Sequence, residues 1–463
     1  MLFPTSSFAI FYILTVCVSA IIGWNKPPVR NFALLVLSFI FYSFWNIKFI
    51  PVLVYYCLFN YALVLSLARF ESHKKLLLIT GISLNLLPLI YFKYTYFLLD
   101  LLINKLQFQS LAAIALPEII LPIGISFFSF HGISLLADFY SKKIMFKPSL
   151  LETGMYLAFF PHQIAGPIVK AKAFIPQLRL KHATVNDFKG NNFLILRGLL
   201  KKVVVANLIG QYLVNPYFDN PFDASGSNLL LAVFFYAFQL YYDFSAYTDM
   251  AIGLAGILGY EFPVNFNNPY TSLSIKEFWQ KWHISLSSWL KEYIYIPLGG
   301  SRISFHRTII NLMLVMAIGG LWHGANSTFL VWGLYHGVGL VICNVWSRFF
   351  ANISIGKYAA WLMTFLFVLV GWVIFRSPDL ETFSFIMNKL VSFDQYTAFK
   401  LTTLLLLILL MTFTFYAEKI EALIKLGLTK LNIISYAIFC FIVYVLCFGS
   451  IGDSMPPFIY FQF

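Results

Sequence analysis

Two histidines dominate the chemistry available to this chain. His283 sits in KWHISLSSW and His323 in GGLWHGAN, on opposite sides of a basic loop holding Arg302, His306 and Arg307. Neutral imidazole has an unperturbed pKa of about 6.5 and suits the removal of a hydroxyl proton near neutrality. His323 follows NLMLVMAIGGLW, which contains no charged residue, so a titratable ring there faces protein or a water-filled cavity rather than lipid. Asp243 and Asp249 bracket FSAYT within an apolar run, and carboxylates in such a place must be paired or hydrogen-bonded. They fit two roles equally: orienting a catalytic imidazole, or joining a structural network with Tyr247 or asparagines. Asn265, Asn267 and Asn326 are candidates to line a polar cavity, with Trp322 beside the His323 ring. His336, in a YHG context, reads as a helix-packing residue. His131 and His162 read the same way, with His162 also a candidate to line the cavity. The eight histidines show no HxxxH or HExxH spacing, and the five cysteines lie in apolar runs without a CxxC. No metal site and no disulfide framework is therefore expected.

The elements that must position these residues are mostly apolar. Ser274-Ile275-Lys276-Glu277 is a capping-box pattern, after which Ile275, Phe278, Trp279, Trp282, Leu286, Trp289, Leu290 and Tyr293 recur at three-to-four spacing. The spacing predicts one amphipathic helix over 274–293, with Lys276, Gln280, His283 and Ser287 on a polar face turned to water or a cavity. Apolar runs near the roughly 20 residues needed to cross hydrocarbon fall at about 7–23, 31–46, 49–68, 75–92, 118–138, 151–168, 193–214 and 228–246. Others follow the central stretch at about 309–322, 327–346, 359–375, 401–416 and 431–449. These runs predict an all-α polytopic membrane protein with roughly 11–13 membrane-embedded helices.

Composition agrees. The chain is 60% hydrophobic and 11% charged, with a mean hydropathy of +0.79, whereas soluble domains carry about 25% charged residues. A net charge of +13 raises the question of nucleic acid. However, the basic residues cluster between apolar runs, as in Lys26 with Arg30, Lys74 with Lys75, Lys142 with Lys143 and Lys201 with Lys202. That is the positive-inside pattern of cytoplasmic loops, and no nucleic-acid partner is expected. Placing Lys26/Arg30, Arg69/Lys74/Lys75 and Lys419/Lys425/Lys430 inside predicts both termini on the extracytoplasmic side. The apolar run from Phe8 reads as a retained first span rather than a cleaved signal. No internal repeat or interdomain linker interrupts the chain, so residues 1–463 read as one membrane domain. A transporter built on paired broken helices is correspondingly less supported.

Five stretches go further: FPHQIAGPIVK (160–170), YYDFSAYTDMAIG (241–253), NFNNPYTSLSIKEFWQKWHISLSSWLKEYIYIPLGG (265–300), GGLWHGANSTFLVWGLYHG (319–337) and GWVIFRSPDLETF (371–383). They resemble the membrane-bound O-acyltransferase family. Within it they are most similar to the bacterial branch of alginate O-acetyltransferase membrane subunits, related to those for peptidoglycan O-acetylation and teichoic-acid D-alanylation. Ala246 and Thr248 depart from the family's DFSGYSD, both by small neutral changes.

The resemblance implies a ring of helices around a central tunnel, with a catalytic core at about 118–346. It implies an acyl group taken from a cytoplasmic donor, acetyl-CoA or another acyl thioester, and delivered outside in a bacterial inner membrane. No bound cofactor is implied. His323 matches the family's catalytic histidine, and His283 a second position near the tunnel mouth. Arg302 and Arg307 would meet phosphates of a coenzyme A-like donor or are ordinary cytoplasmic charge. The chain has no esterase-like domain with a Ser-His-Asp set, so a separate extracytoplasmic acetyltransferase partner is implied, besides membrane lipids and a CoA or acyl-carrier donor. The tail Pro456-Pro457-Phe458-Ile459-Tyr460-Phe461-Gln462-Phe463 reads as an interfacial aromatic anchor. By analogy with a C-terminal tyrosine motif of the D-alanylation system, Tyr460 is also a candidate acyl relay.

Overall fold

A computed structural model describes residues 3, 5–22, 26–108, 110, 118–180, 187–392, 396 and 398–449. Among the described residues the regular structure is helical, with no β-strand. Sequence and solvent both drive this outcome. In hydrocarbon every backbone N–H and C=O must find its partner within the protein, and a helix does so within a single segment. Among the described residues, six helical stretches are long and apolar enough to cross a membrane: Pro27–Arg69, Glu71–Asn104, Gly226–Ile257, Phe305–His323, Ser327–Phe349 and Lys357–Arg376. A seventh is added if Leu401–Phe415 and Ala417–Leu428, bent by 73°, form one broken span. The protein is an all-α, multi-pass membrane protein.

The chain forms two compact units. The first comprises Met1–Asn192 and Ala251–Pro263, and the second Phe193–Met250 and Val264–Phe463.

In the first unit, buried polar groups pair with each other instead of meeting lipid. Asn60 and Asn85 exchange amide hydrogen bonds at 2.9 and 3.0 Å, and Tyr56 donates to the Asn85 carbonyl at 3.0 Å. Arg30, expected in a cytoplasmic loop, is instead fully buried. Its guanidinium lies 5.2 Å over the Tyr260 ring and reaches the Leu178 carbonyl. The run at 151–168 is not one span. The helix Leu150–Ala158 ends at Phe159, which is extended (ψ 116°) ahead of the short helix Phe160–Gln163. Pro161 explains the break, since it has no N–H with which to continue the helix. Likewise the run at 118–138 becomes helical only at Ile125, after Gly124 at φ +79°.

In the second unit, the helices Phe305–His323 and Ser327–Phe349 form a hairpin. Gly320 and Gly333 face each other across it, and a Cβ on either would run into the opposite backbone. The missing side chains let the two backbones touch, as small residues do in membrane helix pairs. Trp332 of the hairpin packs with Trp372 and, through it, Trp282, all three at most 1% exposed.

Candidate active site

The expected single helix over 274–293 is two helices, Ile275–Lys281 and Ile284–Leu290, broken at His283. The first opens as its sequence predicts, with Ser274 capping Glu277 N at 3.1 Å. Past Lys281, the ladder gives way to backbone bonds with residues 265–267. Asn267 N donates to the Lys281 carbonyl at 3.0 Å, and Ile284 N donates to the Asn265 carbonyl at 2.9 Å. His283 itself adopts φ +43°, the left-handed region that only a few non-glycine types tolerate. The polar face drawn from the sequence is therefore dissolved at its centre. The His283 ring is fully buried, where the sequence reading had turned it to water or a cavity. Its Nδ1 lies 3.1 Å from Asn265 Oδ1, and Phe244 packs edge-on at 4.6 Å between ring centroids. Burial pushes this imidazole down, to about 3, so it is neutral at physiological pH.

His323 ends the helix Phe305–His323, and Gly324 beyond it is extended. Its ring is 4% exposed and is surrounded by aromatics. Trp322, Trp332 and Phe375 lie at 5.0, 5.1 and 5.4 Å between centroids. The two imidazoles, far apart in sequence, stand 6.4 Å apart between centroids, with Trp322 5.9 Å from His283. The fold thus joins His283, His323, Asn265 and Trp322 in one buried cluster. Thr248 also belongs to it, meeting the Asn265 amide at 3.4 Å.

The remaining candidates lie elsewhere. Asp243 pairs with Lys202 at 2.5 Å. Asp249 takes a bidentate bond from Arg197 (2.8 and 2.6 Å) and another from Lys201 at 2.6 Å. Arg197 also pairs with Glu421. These carboxylates join an ion-pair network, in which the Lys202 ammonium also lies 5.9 Å over the Tyr247 ring. Lys201 and Lys202, expected as loop charges, are its partners, Lys202 buried and Lys201 partly so. Asn267 is exposed and contributes its backbone to the break. Asn326 caps Ser327–Phe349 and donates to the Pro378 carbonyl at 2.7 Å. Arg302 is exposed and Arg307 partly so. Arg307 stands roughly 24 Å from His323 along its helix at 1.5 Å rise per residue. His336 accepts from Trp279 Nε1 at 3.3 Å within the tryptophan cluster. In the first unit, His131 and His162 pack together at 4.6 Å between centroids, both fully buried. Tyr460 lies outside the described residues.

The sequence reading missed Phe244, Ser285, Trp332 and Phe375. They are ordinary apolar or small residues whose role comes only from where the fold puts them.

Comparison with known proteins adds independent information. Residues 34–377 match the model of the MBOAT, membrane-bound O-acyltransferase, family. The probable alginate O-acetylase of Pseudomonas putida is 34% identical, over 94% of this chain and 94% of that protein. Its counterpart from Pseudomonas aeruginosa is 37% identical over 79% of this chain and 71% of its own length. The peptidoglycan O-acetyltransferase of Helicobacter pylori is 37% identical over 80% of this chain and 75% of its own length.

Proposed function

The chain belongs to the membrane-bound O-acyltransferase family, and from this premise we propose that it moves acetyl groups outward across a bacterial inner membrane for O-acetylation of a cell-envelope polysaccharide. The relatives that match most of its length are named for alginate and peptidoglycan acetylation, which supports an acceptor of that polymer class. Acetyl is favoured over D-alanyl on the same ground. The observation that carries the reading is the buried imidazole pair of His283 and His323, 6.4 Å apart.

In this mechanism His323 takes the proton of the incoming hydroxyl. The oxygen attacks the carbonyl carbon of an acyl thioester such as acetyl-CoA, the carbon–sulfur bond breaks, and the proton passes to the departing sulfur. A positioned general base supplies about 10²–10⁴-fold, and holding donor and acceptor in one site supplies much of the rest. Aromatic walls around His323 exclude bulk water, so the thioester is not lost to hydrolysis. Arg302 and Arg307 would meet the donor's phosphates, and the distance of Arg307 from His323 along the helix suits a donor with a long arm. A tunnel would join the two compartments at His323.

A separate extracytoplasmic, esterase-like partner would place the acetyl group on the polymer, with Tyr460 as an intermediate acyl ester. Tyr460→Phe should then abolish polymer acetylation at normal protein level. Normal acetylation in that variant removes the relay.

The central test is incubation of the purified protein with radiolabelled acetyl-CoA and a hydroxyl acceptor. His323→Ala should lower transfer by about 100-fold or more while donor binding persists. Undiminished transfer would refute the base assignment, and the absence of any acetyl transfer by the wild type would favour a transporter.

A further inference from the structure

Asn265 is the hub of the break at His283, and its neighbours identify its atoms. The backbone N–H of Ser285, which can only donate, points at the Asn265 side chain at 3.0 Å. The Ser285 hydroxyl lies 2.9 Å from the same atom. That atom is therefore the amide oxygen, and the nitrogen end faces Thr248 Oγ1. An acceptor oxygen 3.1 Å from His283 Nδ1 requires Nδ1 to carry the hydrogen. In a neutral ring the lone pair then lies on Nε2. Among the described residues, this Nε2 is buried with no protein partner.

We propose that Asn265 is a positioning residue that locks His283 in the Nδ1–H tautomer, so that its Nε2 accepts an O–H or N–H of the bound donor or acceptor. His283 then cannot polarise the thioester carbonyl, because it has no hydrogen to offer there. This inference rests on the acyltransfer reading and assigns the second imidazole its part in it. Among the described residues, the rings packed against His283 include Phe244, Trp322 and that of a titratable residue, His323. Among the described residues, no carboxylate pairs with the His283 ring. A wrong tautomer at a catalytic histidine costs orders of magnitude even when geometry is kept, so the device is consequential.

The test uses the full chain. Asn265→Asp keeps every acceptor contact but sets a negative charge against Nδ1–H, which favours imidazolium. The acid limb of its pH–kcat/KM profile should move up by about one unit or more, with activity above that limb within about tenfold of wild type. Asn265→Leu should lose about 100-fold. Nitrogen-15 NMR of histidine-labelled wild type, assigned by difference against His283→Asn, should show hydrogen on Nδ1 alone. An unchanged profile in Asn265→Asp, or hydrogen on Nε2, overturns the proposal. The spectrum needs no turnover, so failure of the acyltransfer reading in His323→Ala would be seen separately.

Discussion

At the scale of single residues, the buried imidazole of His283 gives a measurable pH dependence. Its pKa is lowered on folding from the ordinary histidine value to about 3, so between about 3 and 6.5 the unfolded chain binds a proton that the folded chain does not. Stability should therefore rise with pH across that window, by up to about 1.4 kcal/mol per pH unit for one proton. The check is the difference in thermal midpoint between wild type and His283→Asn from pH 4 to 7; an equal slope in both would show that the ring ionises freely. Asparagine is the appropriate replacement because it tolerates positive φ, so it removes the ring without straining the backbone. The catalytic candidates themselves were legible in the sequence, since charged and titratable groups are conspicuous in apolar runs. Their surroundings were not. That Asn265 reaches His283 depends on backbone pairing between 265–267 and 281–284, which no local pattern encodes.

At the scale of elements, the helices were legible wherever composition alone decides them, as in Lys357–Arg376. The failures share one cause, a long-range contact overriding a local period. The helix over 274–293 breaks because Ile284 N–H goes to Asn265 and not to the preceding turn. Lys201 and Lys202 read as a loop because two adjacent lysines seldom enter a membrane helix. In the helical segment Leu200–Ala206 they pair instead with Asp249 and Asp243, some forty residues away. The hairpin of Phe305–His323 and Ser327–Phe349 yields a prediction of its own. Gly333→Leu would push the Met316 backbone away and should destabilise the protein by about 1–3 kcal/mol. It should also lower acetyl transfer, because Gly320, opposite Gly333, is three residues from His323. Thermal unfolding in detergent together with the transfer assay checks both, and wild-type values in each would mean that the pair tolerates separation.

For the whole molecule, the positive-inside pattern predicts a sided reaction. In vesicles of uniform orientation, labelled acetyl-CoA should be consumed only from the face bearing Arg302 and Arg307, and consumption from both faces would contradict the assignment. The ion-pair network has a consequence for biosynthesis as well. Lys202 and Asp243 are separated by 41 positions and Arg197 and Asp249 by 52, so at about 5–20 residues per second each cation is made roughly 2–10 s before its counter-charge emerges. A lipid-facing Arg197, Lys201 or Lys202 during that interval would be expensive. The segment around 193–206 is therefore expected to stay at the membrane surface or in the insertion machinery until Gly226–Ile257 arrives to pair with it.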